Sequence, residues 1–264
     1  MFDIERSLED MDRHGISTMV SSPIFFGGYA GLSEEEAAEA SRFLNRETAR
    51  MQSEIPDRFV GLAMVPMQYP QIAANALRQA ADLGLRGACV LTNYADRAPA
   101  TSDHLQIYRA MNDAGLTCVL HPAMRSRLWQ LNPSDPIERG LNWMFDTAHL
   151  ALSLIENGIL DECPTLTALH PHLGGVLPYV SGRLRVLATG NIDSYARERF
   201  FVDAASSTPG ALEVAIDFYG TDRIVFATDD PFVPRTATTG FFQREIAEPL
   251  RRSILDNQVP GLLP

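Results

Sequence analysis

No stretch of this 264-residue chain reaches the roughly 18 consecutive apolar residues of a membrane-spanning helix. Its acidic beginning also lacks the charged and apolar regions of a secretory signal. Cysteine is scarce: Cys89, Cys118 and Cys163 are odd in number, widely spaced and without a CxxC pair. That excludes a disulfide framework and points to a reducing cytoplasm. Cys89 and Cys118 fall inside apolar runs, where cysteine serves as a small buried hydrophobe. Basic charge is short as well. Lysine plus arginine number 22 against 33 acidic residues, a net charge of −11, so the chain has no broad basic face for nucleic acid. An anionic small molecule is not excluded, because its site needs only one or two local cations. The glycine-rich FFGGYAG at 25–31 lacks the Lys-Ser/Thr of a phosphate loop and the spacing of a dinucleotide fingerprint, so it has no nucleotide role.

The chain is 45% hydrophobic and 21% charged, which at this length fits one soluble α/β domain of barrel size over residues 1–264. Short apolar runs at 17–23, 59–66, 85–93, 117–122, 166–171, 200–205 and 223–229 predict seven strands. Amphipathic segments at 4–14, 34–54, 71–83, 103–114, 141–157, 175–187, 210–218 and 241–256 predict helices between and around them. Ser33 with Glu36 reads as a capping box for the second helix, and Gly15, Gly84 and Gly115 read as helix stops. Alternation of this kind means a parallel sheet covered on both faces. Its length, with no nucleotide-binding turn after the first strand, favours a TIM-type (β/α)8 barrel over an open doubly wound sheet. No strand precedes the first helix, so the expectation is a barrel lacking its first strand.

Three strands end in residues that bind metals or move protons. In such barrels the C-terminal strand edge carries the chemistry. CVLHP ends at His121, which is either a hydrogen-bonded core histidine or a residue of the barrel mouth. LTALHPHLGG carries His170 and His172, two apart and so on one side of an extended strand. His170 is assigned a structural role. His172 adjoins Gly174-Gly175, where backbone can approach a ligand closely. RIVFATDDPF ends at Asp229-Asp230, either a capped turn or a cation-binding, proton-accepting pair. Arg183, eight residues after Gly175, is either a solvated helix arginine or the fork that clamps a carboxylate. His104 and His149 sit on helices as surface or packing residues, and His14 suits a helix C-terminus. Residues 123–137, with Arg125, Arg127 and Trp129, read as an irregular loop that shapes a pocket.

At these residues the chain resembles the amidohydrolase-related metal-dependent barrels that include aminocarboxymuconate-semialdehyde decarboxylase and aromatic acid decarboxylases. The resemblance runs from MDRHGISTMVSSP through IPDRFVGLAMVP, LGLRGACVLTN and LHP to ILDECPTLTALHPHLGGVLPYVSGR and DRIVFATDDPF. The combination of His-x-Gly-Gly, Pro-Tyr, Gly-Arg and Thr-Asp-x-Pro-Phe gives it specificity. It implies His121 and Asp229 as metal ligands, zinc first and manganese as the alternative. It further implies His172 as the proton-handling histidine, Asp229 as a proton carrier, and Arg183 as a group that holds a substrate carboxylate in the neighbouring subunit of a homodimer. The family's first strand carries a His-x-His or Glu-x-His pair that this sequence does not contain. His172 would complete three ligands only at the expense of its acid–base role.

The activity expected is metal-dependent, non-oxidative decarboxylation of an aromatic or muconate-type carboxylic acid. Metal-dependent hydrolysis of a lactone or amide on the same scaffold is the alternative. A truncated, catalytically inactive barrel, kept as a binding or structural subunit, is a third reading, motivated by the missing strand. Acid substrates, no nucleic acid and no membrane are the expected partners.

Overall fold

The computed structural model describes residues 4–23, 29–94, 97–124 and 134–263. Arg125, Arg127 and Trp129, expected to shape a pocket, lie outside the described residues. Helix α1 (Ile4–Arg13) leads into β1 (Met19–Ser21). There follow α2 (Glu34–Glu54), β2 (Phe59–Met64), α3 (Pro70–Asp82), β3 (Gly87–Leu91), α4 (Leu105–Asp113) and β4 (Thr117–His121). The second half runs α5 (Trp143–Glu156), α6 (Ile159–Glu162), β5 (Ala168–His170), α7 (Leu177–Leu187), α8 (Ile192–Glu198), β6 (Phe200–Asp203), α9 (Pro209–Tyr219), β7 (Ile224–Val225), α10 (Arg235–Glu245) and α11 (Leu250–Asp256). No described helix is long and apolar enough to cross a membrane.

All seven strands are parallel and stand in sequence order, β1 to β7. This is the TIM-type arrangement. The position between β7 and β1 holds no strand among the described residues. Side chains divide between two clusters according to the period-two alternation of the strands. Val60, Leu62, Phe201 and Val225, with Val119 and Leu169, point inward into a small cluster that the C-terminal Val259 and Leu262 complete. The alternate residues, such as Cys118, Leu120, Ala168, Phe200 and Val202, join a much larger cluster between strands and helices.

The C-terminal tail closes the N-terminal end of the barrel. Asn257 Nδ2 donates to the carbonyls of Thr221 (2.7 Å) and Ile224 (2.8 Å), and Arg86 Nη1 donates to the carbonyl of Leu263 (3.0 Å). The opposite, C-terminal strand edge is the barrel mouth, where β4 ends at His121 and β6 at Asp203.

Local chemistry explains the elements. The capping box at α2 is formed: Glu36 N–H donates to Ser33 Oγ (3.3 Å) and Ser33 N–H to Glu36 Oε2 (2.8 Å). Gly61 on β2 lies so close to Thr48 of α2 that any Cβ would collide with its methyl group, which lets helix and sheet pack tightly. Three expectations need correction. The closing helix is two helices, α10 and α11, with Pro249 between them, because proline cannot supply the N–H a continuous helix needs. The short helix α8, capped by Asn191 accepting from Ser194 N–H, was not anticipated. The last strand pairs only over Ile224–Val225 and not to 229, since no described strand flanks its far side.

Candidate active site

Strand alternation decides which side chains reach the mouth. Val119 packs in the inner cluster, so His121, two residues on in β4, projects to the same side. The same reasoning carries Asp203 inward after Phe201 in β6. It carries His170 outward: Leu169 belongs to the inner cluster and Ala168 to the outer one. The His170 ring lies 6.4 Å from that of Phe200, centroid to centroid.

His170 and His172 therefore do not share a side. The strand ends at His170, and the backbone turns left-handed at His172 (φ 53°) and Leu173 (φ 55°). Non-glycine residues rarely take that conformation, and it clusters at functional sites. The Gly-Gly that follows is fitted to its neighbours. A Cβ on Gly174 would strike the Tyr219 hydroxyl, and one on Gly175 would strike the Met144 carbonyl. Asp229, at the end of the last apolar run, is also left-handed (φ 61°), and Pro231 follows.

These turns bring His172 into the field of His121, Asp203 and Asp229. His172 N–H donates to Asp203 Oδ1 (3.0 Å). Its Nδ1 lies 3.5 Å from the Ala205 carbonyl, at the limit of a bond. His121 Nδ1 donates to the Pro122 carbonyl (2.7 Å). A carbonyl only accepts, so the proton sits on Nδ1 and Nε2 keeps its lone pair. Burial holds the His121 pKa below its ordinary value, against the Pro122 bond, and the nearby His172 pushes the same way. Burial raises the Asp229 carboxyl, opposed by His172 and reinforced by Asp203 and Asp230.

Asp229 and Asp230 diverge as adjacent residues should. Asp230 Oδ2 accepts from Arg235 Nη2 (3.1 Å), so it belongs to a structural ion pair and not to the site. His170 is fully buried with no partner for either ring nitrogen among the described residues. Burial, and to a lesser degree His172, pushes its pKa down to about 3. Its assigned structural place fits this, although it packs as an apolar ring and not as a hydrogen-bonded one. His14 Nδ1 donates to the Asp10 carbonyl (2.7 Å) at the end of α1.

A divalent cation would find suitable donors here. An imidazole oriented by a carbonyl at its Nδ1 and a partly buried carboxylate are the donor types such an ion takes. His121 and Asp229 supply one each. Among the described residues no three His, Cys, Asp or Glu side chains form a metal-holding group. Arg183 is exposed on α7 and bonds to none of these residues. It shares an outward stripe with Tyr179, Val186 and Leu187, which are 86%, 81% and 62% exposed. Asp203 was missed in the sequence. Its signal was available, because FFVD ends a buried strand with an acid two residues beyond an inward phenylalanine.

Comparison with known proteins identifies the family. Residues 1–257 match the amidohydrolase family Amidohydro_2. The chain is 26% identical over 244 residues to 2-amino-3-carboxymuconate-6-semialdehyde decarboxylase of Dictyostelium discoideum. That match takes in 86% of this chain and 65% of the relative, so the chain spans under two thirds of that protein's length. It is 30% identical over 251 residues to gamma-resorcylate decarboxylase of a Rhizobium species, covering 85% of this chain and 76% of the relative. In structure it is similar to dihydroxybenzoic acid decarboxylase of a Polaromonas species, solved with bound manganese and the inhibitor 2-nitroresorcinol. There the TM-score is 0.82, with 28% identity and coverage of 96% of this chain and 83% of that one.

Proposed function

We propose that this chain, which belongs to the amidohydrolase family, is a carboxy-lyase that releases carbon dioxide from an aromatic or muconate-type carboxylic acid without net oxidation. The observation that supports the reading is the electrostatic influence of His172 on both His121 and Asp229 at one strand edge, in a chain whose matched relatives are decarboxylases. The chemistry needs a proton placed on the carbon that bears the carboxylate. The bond to that carboxylate then breaks, its electron pair returns to the ring or enol system, and carbon dioxide leaves.

All 22 basic residues are arginine, so no lysine imine is available as the electron sink that many decarboxylations use. The charge that develops on the substrate must be stabilised by fixed groups around it. His172, on its left-handed turn, hands the proton over. Asp229, whose burial favours the protonated form, exchanges it. His121 and Asp229 would hold a divalent ion, zinc or manganese, that polarises the substrate's oxygen. Hydrolysis of a lactone or amide remains the competing reading, since the same donors can aim a water at a carbonyl.

Two measurements test this. Isotopically labelled carboxylic acids of the aromatic and muconate classes should yield labelled carbon dioxide, whereas acid release from lactones without carbon dioxide would replace the reading with hydrolysis. Elemental mass spectrometry after dialysis should find a transition metal bound, and added zinc or manganese should raise the melting temperature, as any ligand of the native state does. A protein that neither retains nor responds to metal would sink the metal-dependent form of the proposal.

We also infer a homodimer from the α7 stripe. Tyr179, Arg183, Val186 and Leu187 follow helical spacing along one outward face, and such apolar exposure is unusual on a free surface. In that assembly Arg183 serves its neighbour's site, where its fork would grip the substrate carboxylate.

A further inference from the structure

We propose that Asp203 is a positioning residue for His172: its carboxylate fixes the left-handed turn that aims the imidazole into the barrel mouth. The inference rests on the reading of His172 as the proton-handling group, and it adds a residue that the sequence motifs do not include. Asp203 ends β6 on the inward side, two residues after Phe201 of the inner cluster. One of its oxygens, Oδ1, accepts from two backbone donors at once, His172 N–H at 3.0 Å and Ala205 N–H at 3.1 Å. The Ala205 bond is a local turn within the β6 exit, in which an aspartate commonly accepts from the second residue on. The His172 bond crosses to the adjacent strand's exit and joins two loops of the mouth.

His172 and Leu173 hold φ values of 53° and 55°, which persist only where surroundings over-determine them. The two glycines after them are pinned by Tyr219 and Met144, so one end of the turn is held by packing. Asp203 holds the other, at the backbone of His172 itself. No other side chain is shown bonding that amide among the described residues. The carboxylate is also close enough to influence His121 and Asp229 electrostatically, which places it within the same constellation.

Two substitutions separate aim from charge. Asp203→Asn removes the charge and keeps the Oδ1 acceptor where the two amides need it. Asp203→Glu keeps the charge and displaces the acceptor by a methylene. Misaiming a catalytic group by about an ångström costs on the order of 100-fold in rate. Asp203→Glu is therefore expected to lose about that much kcat in carbon dioxide release, with KM little changed, while Asp203→Asn retains most of its turnover. Hydrogen exchange, read by mass spectrometry on peptides spanning residues 170–176, gives a readout independent of activity. Protection of this turn should fall in Asp203→Glu and hold in Asp203→Asn, with exchange elsewhere unchanged. Turnover lost in Asp203→Asn but kept in Asp203→Glu would mean that charge, not aim, is what Asp203 provides; that result, or equal losses in both, would overturn the proposal. So would unchanged exchange in Asp203→Glu. If the wild-type protein releases no carbon dioxide from any acid, the proposed function fails, and the exchange result still decides whether Asp203 holds the turn.

Discussion

His170 and His172 are two residues apart and of one type, yet the fold uses them in opposite ways. A solvated imidazole takes a proton near its ordinary value of 6.5, whereas folded His170 resists protonation until about 3. Between those values the unfolded chain binds the extra proton, so stability is full above the higher value and declines as pH falls through the window. Replacing His170 by leucine removes a group that titrates only on unfolding and two buried ring nitrogens without partners, each costing about 1–3 kcal/mol when unsatisfied. His170→Leu should therefore unfold in urea no earlier than wild type at pH 7 and clearly later at pH 4.5. A shared acid-induced loss would mean that other groups set the acid limb. His172→Ala should instead leave the melting temperature nearly unchanged and lower kcat far more than it alters KM; a rise in KM alone would remove the proton-handling role. At this scale the sequence made His121 and Asp229 visible, since each ends an apolar run. Asp203 went unnoticed because it lies beside no glycine or histidine. The opposite facing of the two histidines was hidden, because nothing in local propensity calls for left-handed backbone at a histidine and a leucine.

Periodicity located the strands and most helices well because each buries one consistent face. It erred at their ends, where tertiary contacts decide. β5 stops at His170 once the turn begins, and β7 stops at Val225 for want of a further partner strand. What secures this side of the barrel is an ion network. Arg235, at the start of α10 and 7% exposed, donates to Asp10 Oδ2 (2.9 Å), Asp230 Oδ2 (3.1 Å), Ser7 O (3.3 Å) and Ser7 Oγ (3.3 Å). It thereby ties α1, which leads into the first edge strand, to the loop that leaves the last one. Removing one partner of a buried pair strands the others, but Asp10 and Asp230 are each about one third exposed, so water recovers part of the cost. Arg235→Ala should destabilise the fold by roughly 1–3 kcal/mol. That corresponds to a fall of about 2–4 °C in melting temperature per kcal/mol for a chain of this size. Lysine should not restore it, because one ammonium cannot reproduce the fork that spans both carboxylates. A melting temperature unchanged in Arg235→Ala would show that α1 is held by packing alone.

At the scale of the whole molecule, the residues bonded within the constellation at the mouth include no cation for a substrate carboxylate among the described residues. The arginine expected to supply one stands outside, on the exposed stripe of α7. A two-fold pairing through α7 resolves this if Arg183 crosses to the neighbour's mouth, since an isologous interface makes any such exchange reciprocal. Complementation tests the geometry directly. Arg183→Ala and His172→Ala homodimers should each be inactive, the first through lost substrate binding and the second through lost proton transfer. Dissociated and reassociated together, they form mixed dimers in which one site has its own His172 and its neighbour's Arg183, while the other site lacks both. With random pairing, half the dimers are mixed and half of their sites are whole, so about a quarter of wild-type activity should return. An arginine that acted within its own chain would give no such recovery, because each mixed dimer would carry one defect at either site. Protein that sediments as a monomer at assay concentration, with substrate turning over and Arg183→Ala fully active, would refute both the interface and the clamp. The stripe of Tyr179, Val186 and Leu187 then needs a different partner.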